Sequence, residues 1–180
     1  AGVCAQVPRM AAAAHGQLNA LGLRLSSIGV CVPGAVDDCT GMVRFAPNLG
    51  WRNVSLLPAL EEAFAAAGLP GVTVQLQNDA DAAALGEYEF SGGESADPLI
   101  FVSCDVGVGA GVVLNDRLFT GAQGMAGEIG HTILQLDGPL CSCGRRGCAE
   151  AFFGSRALGR EAPGMAHAAA VFGVLVQNLW

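Results

Sequence analysis

Hydrophobic and polar positions along the chain repeat with two different periods. Residues 11–25, AAAAHGQLNALGLRL, set Leu18, Leu21 and Leu25 at helical spacing in an Ala-rich background and predict a helix. SIGVCV at 27–32 is a short apolar run, as in a buried strand. PGAVDDCTG at 33–41 predicts a turn around Pro33-Gly34 and Asp37-Asp38, followed by a short strand MVRFA at 42–46 and a loop PNLGW at 47–51. A helix is predicted over Ser55–Ala67, stopped by Gly68 with Pro70 beyond. VTVQL at 72–76 has partial alternation and predicts a strand. NDADAAALGEYEF at 78–90 then predicts a loop tip that turns at once into a helix.

The second half continues the alternation. SGGESADP is a linker, and LIFVSCD at 99–105 predicts a strand. VGVGAGVVLNDRLF at 106–119 predicts a hairpin around Gly107–Gly111, with a second turn at Asn115-Asp116. TGAQGMAGEIGH is Gly-rich, TILQL at 132–136 predicts a strand, and a cysteine-bearing loop follows. The remainder reads as helical to the final AAAVFGVLVQNLW, whose apolar face suits a dimer contact or its own core. Strands alternating with helices, without an internal repeat, make the class α/β.

Composition narrows the possibilities. The 180 residues are 52% hydrophobic, enough to bury the core of one large domain or two small ones. No apolar run reaches the roughly 18 residues of a membrane span. No signal peptide is visible, and the opening AGVCAQVPRM reads as a start in mid-protein. A net charge of −7 argues against direct contact with nucleic-acid phosphates. Seven cysteines, four scattered and three clustered, fit a reducing cytoplasm better than a disulfide scaffold. Cys31 and Cys104 lie in apolar strands and are expected as core thiols.

The cluster carries the sharpest chemistry. In GHTILQLDGPLCSCGRRGC, His131 precedes Cys141, Cys143 and Cys148. Three thiolates and an imidazole make the closed tetrahedral set of a structural zinc. Gly138, Pro139, Gly144 and Gly147 let the loop wrap around an ion. With no open coordination position, the zinc would hold the loop and not act on substrate. The loop would in turn fix Glu128 and Glu150, both carboxylate acceptors suited to sugar hydroxyls, beside His131.

Two further features have double readings. Asp79, at the junction of a strand and a helix, is either a helix cap or a general base toward a substrate hydroxyl. Gly107, Gly109 and Gly111 are either a phosphate cradle or simply the bend of a hairpin. No helix follows them, so they are not a dinucleotide fingerprint.

NDADAAALGE, GVGAGVV, GMAGEIGH and CSCGRRGCAE, in this order, resemble the ROK family of repressors, open reading frames and kinases. VPGAVDDCTGMVRFAPNLGW is similar to the family's upstream sugar-side loop, and the resemblance covers roughly residues 28–160. It implies the actin-like ATPase (sugar kinase/Hsp70/actin) fold: two α/β lobes, here a partial chain. Residues 1–75 would belong to the N-terminal lobe and 76–180 to the second, truncated lobe with the zinc loop at 131–148. It implies sugar contacts by Asn78, Asp79, Glu128, His131, Glu150, Asn48 and Gly34, and zinc on His131, Cys141, Cys143 and Cys148. In the family's kinases the Asp equivalent to Asp79 is the base, with ATP and magnesium as cofactors.

The chain departs from those kinases. It has no Asp-x-Gly-Gly-Thr phosphate loop, and CDVGVGAG carries Val106 where a hydroxyl would help hold phosphate. The resulting expectation is the sugar-binding effector domain of a cytoplasmic transcriptional regulator. It would reach DNA only through an upstream module and form a homodimer or tetramer. The alternative is an ATP-dependent, glucokinase-like sugar kinase. A zinc-stabilised domain without a ligand is the third possibility.

Overall fold

The structure is a computed structural model, and it describes residues 2–69, 71–90, 98–161 and 174–177. Helix α1 spans Gly2–Ala20. It runs into strand β1 (Ser27–Val32), which pairs in parallel with β5 (Thr73–Asn78), Val32 lying opposite Asn78. Between them, β2 (Ala35–Asp37), β3 (Met42–Ala46) and β4 (Trp51–Ser55) form an antiparallel ribbon, followed by helix α2 (Leu56–Ala66). Leu56, Leu60 and Phe64 recur every four residues on α2 and are buried together with Val43, Val74 and Leu76. That stripe is what makes α2 a helix in this context: one face is apolar and the other carries Glu61 and Glu62.

Helix α3 (Asp79–Phe90) leaves β5 without a loop. It packs on β6 (Leu99–Cys104) and β7 (Val108–Leu114), which share a sheet with β8 (Arg117–Leu118) and β9 (Val174–Gln177) in the order β8-β7-β6-β9. Ala84, Leu99 and Val113 form its core. A third, small cluster joins Cys141 and Cys148 to Ala151 of helix α4 (Glu150–Phe153), and α5 (Ser155–Glu161) follows. Among the described residues no helix is long and apolar enough to cross a membrane.

The α/β alternation is as the periodicity predicts, but several local expectations differ. The first helix ends at Ala20, not at 25, because Gly22 takes φ +73° and the Leu23 amide turns back to the Leu18 carbonyl. This is a left-handed stop, and it leaves Leu21 73% exposed. Part of the expected 33–41 turn is strand β2, paired with β3. TILQL is not a strand. The Leu134 amide bonds the Gly147 carbonyl, the Ala149 amide bonds the Thr132 carbonyl, and Ile133 forms an isolated bridge with Cys148. Val174–Gln177, expected in a C-terminal helix, is β9, paired antiparallel with β6. Its backbone adds a strand beside β6, which a helical period cannot signal. The rest of that predicted helix, and residues 91–97 of the predicted linker, lie outside the described residues. Finally, Cys31 is exposed and Cys104 half-buried, so neither is a core thiol.

Candidate functional site

The cleft of about 400 Å³ lies where the C-terminal ends of β1 and β5 meet the β6–β7 turn and the start of α4. Gly34, Asn48, Asn78 and Asp79 reach it from the first half of the chain, and Gly107, Gly109, Glu128, His131 and Glu150 from the second. Gly111 does not line it.

Asn78 organises one wall. Its Nδ2 donates to the Gly34 carbonyl (2.9 Å), and its Oδ1 accepts from the Asp81 amide (3.0 Å). The capping role considered for Asp79 thus belongs to Asn78. Asp79 takes only the amide of its neighbour Ala80 (2.9 Å), which leaves its carboxylate on the cleft wall.

Glu150 is held from two sides. Its Oε2 accepts from the Val108 amide (3.2 Å) and its Oε1 from the Ser142 hydroxyl (2.7 Å). The first of these engages the Val108 amide, the one that follows Gly107, with a carboxylate. Gly107 sits in the β6–β7 turn, whereas Gly109 and Gly111 lie inside β7, so the hairpin bend needs only the first. At Gly111 a side chain would overlap the Ala80 carbonyl and the Ala84 side chain, so this glycine lets α3 lie directly on β7.

Glu128 caps, and His131 closes, a 3-10 turn at Ile129–His131. Burial pushes the Glu128 carboxyl up to about 7, and the charges of Glu150, Asp79 and Asp81 push in the same direction. Glu128 thus shares one space with three other carboxylates. His131 has its two nitrogens on two different neighbours. Nε2 lies 3.8 Å from Glu128 Oε2 and Nδ1 lies 3.6 Å from Cys141 Sγ. Burial lowers the His131 pKa, so the neutral ring a metal ligand needs is favoured.

The His131, Cys141, Cys143 and Cys148 ligand atoms all lie within 4.8 Å of one another, and this group can hold a metal ion. Cys143 and Cys148 sulfurs are 3.7 Å apart, too far for a disulfide. Thiolates on one tetrahedral ion with ordinary zinc–sulfur bonds would be about 3.8 Å apart, and a thiolate and an imidazole nitrogen about 3.6 Å. The spacing thus fits a shared cation. Without one the chemistry is unfavourable: burial, then the neighbouring Cys143 and Cys141, pushes the Cys148 thiol up to about 12. A cation at the centre reverses that preference.

Sequence reasoning missed Ser142, Ser103, Asp105 and Arg156. The last three line the cleft, and Ser142 holds Glu150. Ser142 was legible in principle, as the residue between two expected ligands. Arg156 had no local signal, because its position depends on how α5 turns back after Gly154.

The architecture is that of an α/β protein with its acidic cleft at the ends of parallel strands. The sequence profile of the ROK family matches residues 8–171, and the chain belongs to that family. It has the sugar kinase/actin-like ATPase fold, as a partial chain. It is 40% identical over 134 residues to the xylose repressor of Bacillus subtilis, covering 74% of this chain and 33% of the repressor. It is similar to a ROK family glucokinase from Streptomyces griseus, solved with glucose and AMPPNP (TM-score 0.71, 36% identity, 90% of this chain and 50% of that one). It is also similar to a ROK family transcriptional regulator, a homologue of the E. coli MLC protein (TM-score 0.68, 31% identity, 88% and 39%). The chain thus spans between a third and a half of these proteins.

Proposed function

We propose that this chain is the sugar-binding effector part of a ROK-type transcriptional regulator. The observation that carries the proposal is the convergence of Asp79, Glu128, Glu150 and His131 on one cleft, with the opposite edge of His131 on the cysteine cluster. Three carboxylates and an imidazole suit a ligand rich in hydroxyl groups. Asn78, Asn48 and the Gly34 backbone would complete the contacts.

The metal in this proposal is structural zinc on His131, Cys141, Cys143 and Cys148. When bound, it supplies fixed geometry and leaves no coordination position for substrate. His131 then keeps Nε2 for Glu128 or a ligand hydroxyl. The same proposal divides the chain into two lobes, 1–75 and 76–180. Sugar in the cleft would favour one arrangement of these lobes and bias a DNA-binding module outside these residues. The protein would work in the cytoplasm as a homodimer or tetramer. Val106 in the β6–β7 turn favours the regulator, since it offers no hydroxyl to a phosphate.

One observation favours a second reading, an ATP- and magnesium-dependent sugar kinase. Asp79 is relieved of capping by Asn78, and its carboxylate faces the cleft, as a base for a sugar hydroxyl needs. The test is calorimetry of the full chain with xylose, glucose and N-acetylhexoses, beside a coupled assay with ATP and magnesium. The regulator binds a sugar and consumes no ATP. Turnover that disappears in Asp79→Asn would establish the kinase instead.

A further inference from the structure

Glu150 stands on the wall of two spaces. It lines the acidic cleft, and it lines a second cavity of about 270 Å³ that adjoins the cleft and shares Asn48, Val106 and Arg156 with it. Ser142 lines the second cavity and not the cleft. A ligand in the cleft meets Glu150 directly and Ser142 only through it. A glutamate side chain has several rotatable bonds, and freedom that must be lost on binding weakens the contact. Here two donors from different segments remove that freedom beforehand. The Val108 amide reaches Oε2 at 3.2 Å, and the Ser142 hydroxyl reaches Oε1 at 2.7 Å. Each oxygen keeps a second lone pair for a ligand. Gly107 leaves the space, since a side-chain carbon there would lie 2.9 Å from Oε2.

Of the two donors, Ser142 is the one whose place the cysteine loop decides. It stands between Cys141 and Cys143 in a turn closed by the Gly144 amide on the Cys141 carbonyl (3.0 Å), and the Cys141 amide is tied to the Arg145 carbonyl (2.8 Å). The Cys141 sulfur lies 3.8 Å from the same Glu150 oxygen. A thiol is a weak donor, and it has no proton to give once it ligates a metal. The hydroxyl is the donor that remains.

We propose that Ser142 is a positioning residue of the sugar site: its hydroxyl fixes the direction in which Glu150 meets the ligand, so the cysteine loop sets sugar affinity through a residue the sugar does not touch. The inference rests on the cleft being a sugar site and adds how that site is held. Without the hydroxyl, Glu150 keeps only the Val108 amide, and the ligand itself must order the carboxylate, which weakens binding. The fold and the metal group do not need the hydroxyl. Ser142 is exposed, and it contributes no atom to the group formed by His131, Cys141, Cys143 and Cys148.

The experiment is calorimetry on the full chain with xylose, glucose and N-acetylglucosamine, with zinc content by elemental analysis and a thermal melt for each protein. The variants are Ser142→Ala, Ser142→Val and Ser142→Thr; the last two introduce side chains of one shape, without and with the hydroxyl. Ser142→Ala and Ser142→Val should weaken the tightest-binding sugar about fivefold, a modest loss because the hydroxyl is exposed to water. Ser142→Thr should stay within about twofold of wild type. All three should keep the zinc content and melting temperature of the wild type. Unchanged affinity in Ser142→Ala and Ser142→Val overturns the proposal. So does an equal loss in Ser142→Thr and Ser142→Val, which is an effect of shape, or a loss of zinc in Ser142→Ala, which assigns the hydroxyl to the loop. In each of these cases wild type still binds sugar and the cleft reading stands. If no sugar of the panel binds wild type, the cleft proposal falls and the role of Ser142 with it.

Discussion

Asn78 is the residue whose removal can be worked out most fully from the structure. Its side chain makes two bonds, a long-range one to the Gly34 carbonyl after β1 and a local one from the Asp81 amide in the first turn of α3. Asn78→Ala deletes both. The lost cap costs about 1 kcal/mol. The Gly34 carbonyl, left without its partner in a half-buried position, costs roughly 1 kcal/mol more. The expected loss is therefore about 2 kcal/mol, because the two bonds serve different segments and their losses should nearly add. Asn78→Asp separates the two terms. It keeps the acceptor for the Asp81 amide but turns the donor facing Gly34 into another acceptor, so it should lose at least the second kilocalorie. Urea unfolding followed by circular dichroism reads both as a lower midpoint at unchanged slope. A loss below about 0.5 kcal/mol in Asn78→Ala would mean that water replaces both bonds at no cost, and the picture of Asn78 as a clip between β1 and α3 would be wrong.

The buried Asp81 gives a pH test. Its Oδ1 has no hydrogen-bond partner among the described residues, and burial, then the charges of Asp79 and Asp38, raises its carboxyl to about 6 from an ordinary 3.8. The folded state holds that proton more tightly than the unfolded chain, so this group's contribution is fully favourable below about pH 4 and is lost as pH rises through about 6. Asp81→Asn should stabilise the protein by roughly 1–2 kcal/mol at pH 7.5, and thermal melts should show the advantage shrinking toward pH 4. A constant or growing advantage at acid pH refutes the assignment. For the metal, Cys148→Ser at a fully buried ligand position should abolish bound zinc measured by elemental analysis and lower the melting temperature. Unchanged zinc content would remove the cluster from the proposal.

What the sequence determined by itself was mostly what has a short period or a short spacing. Gly68 and Pro70 announce the end of α2, and the Asn78-Asp79 junction announces a strand that runs into a helix. His131 with Cys141, Cys143 and Cys148 announces a ligand cluster before any coordinates. These signals work because a helix, a turn or a chelating loop is specified by residues that are neighbours in the chain. The tertiary structure decided the rest. It gave the cap to Asn78 and not to Asp79, a choice set by the Gly34 carbonyl 44 residues away. It turned Val174–Gln177 into a strand because β6 offered an open edge, which no periodicity in VLVQ can encode. It moved Gly109 and Gly111 out of the bend and into β7, where at Gly111 the close approach of α3 is the reason for glycine. And it brought Asn48 and Arg156 to the border of two cavities, a meeting of residues 108 positions apart whose only cause is the packing of the elements between them.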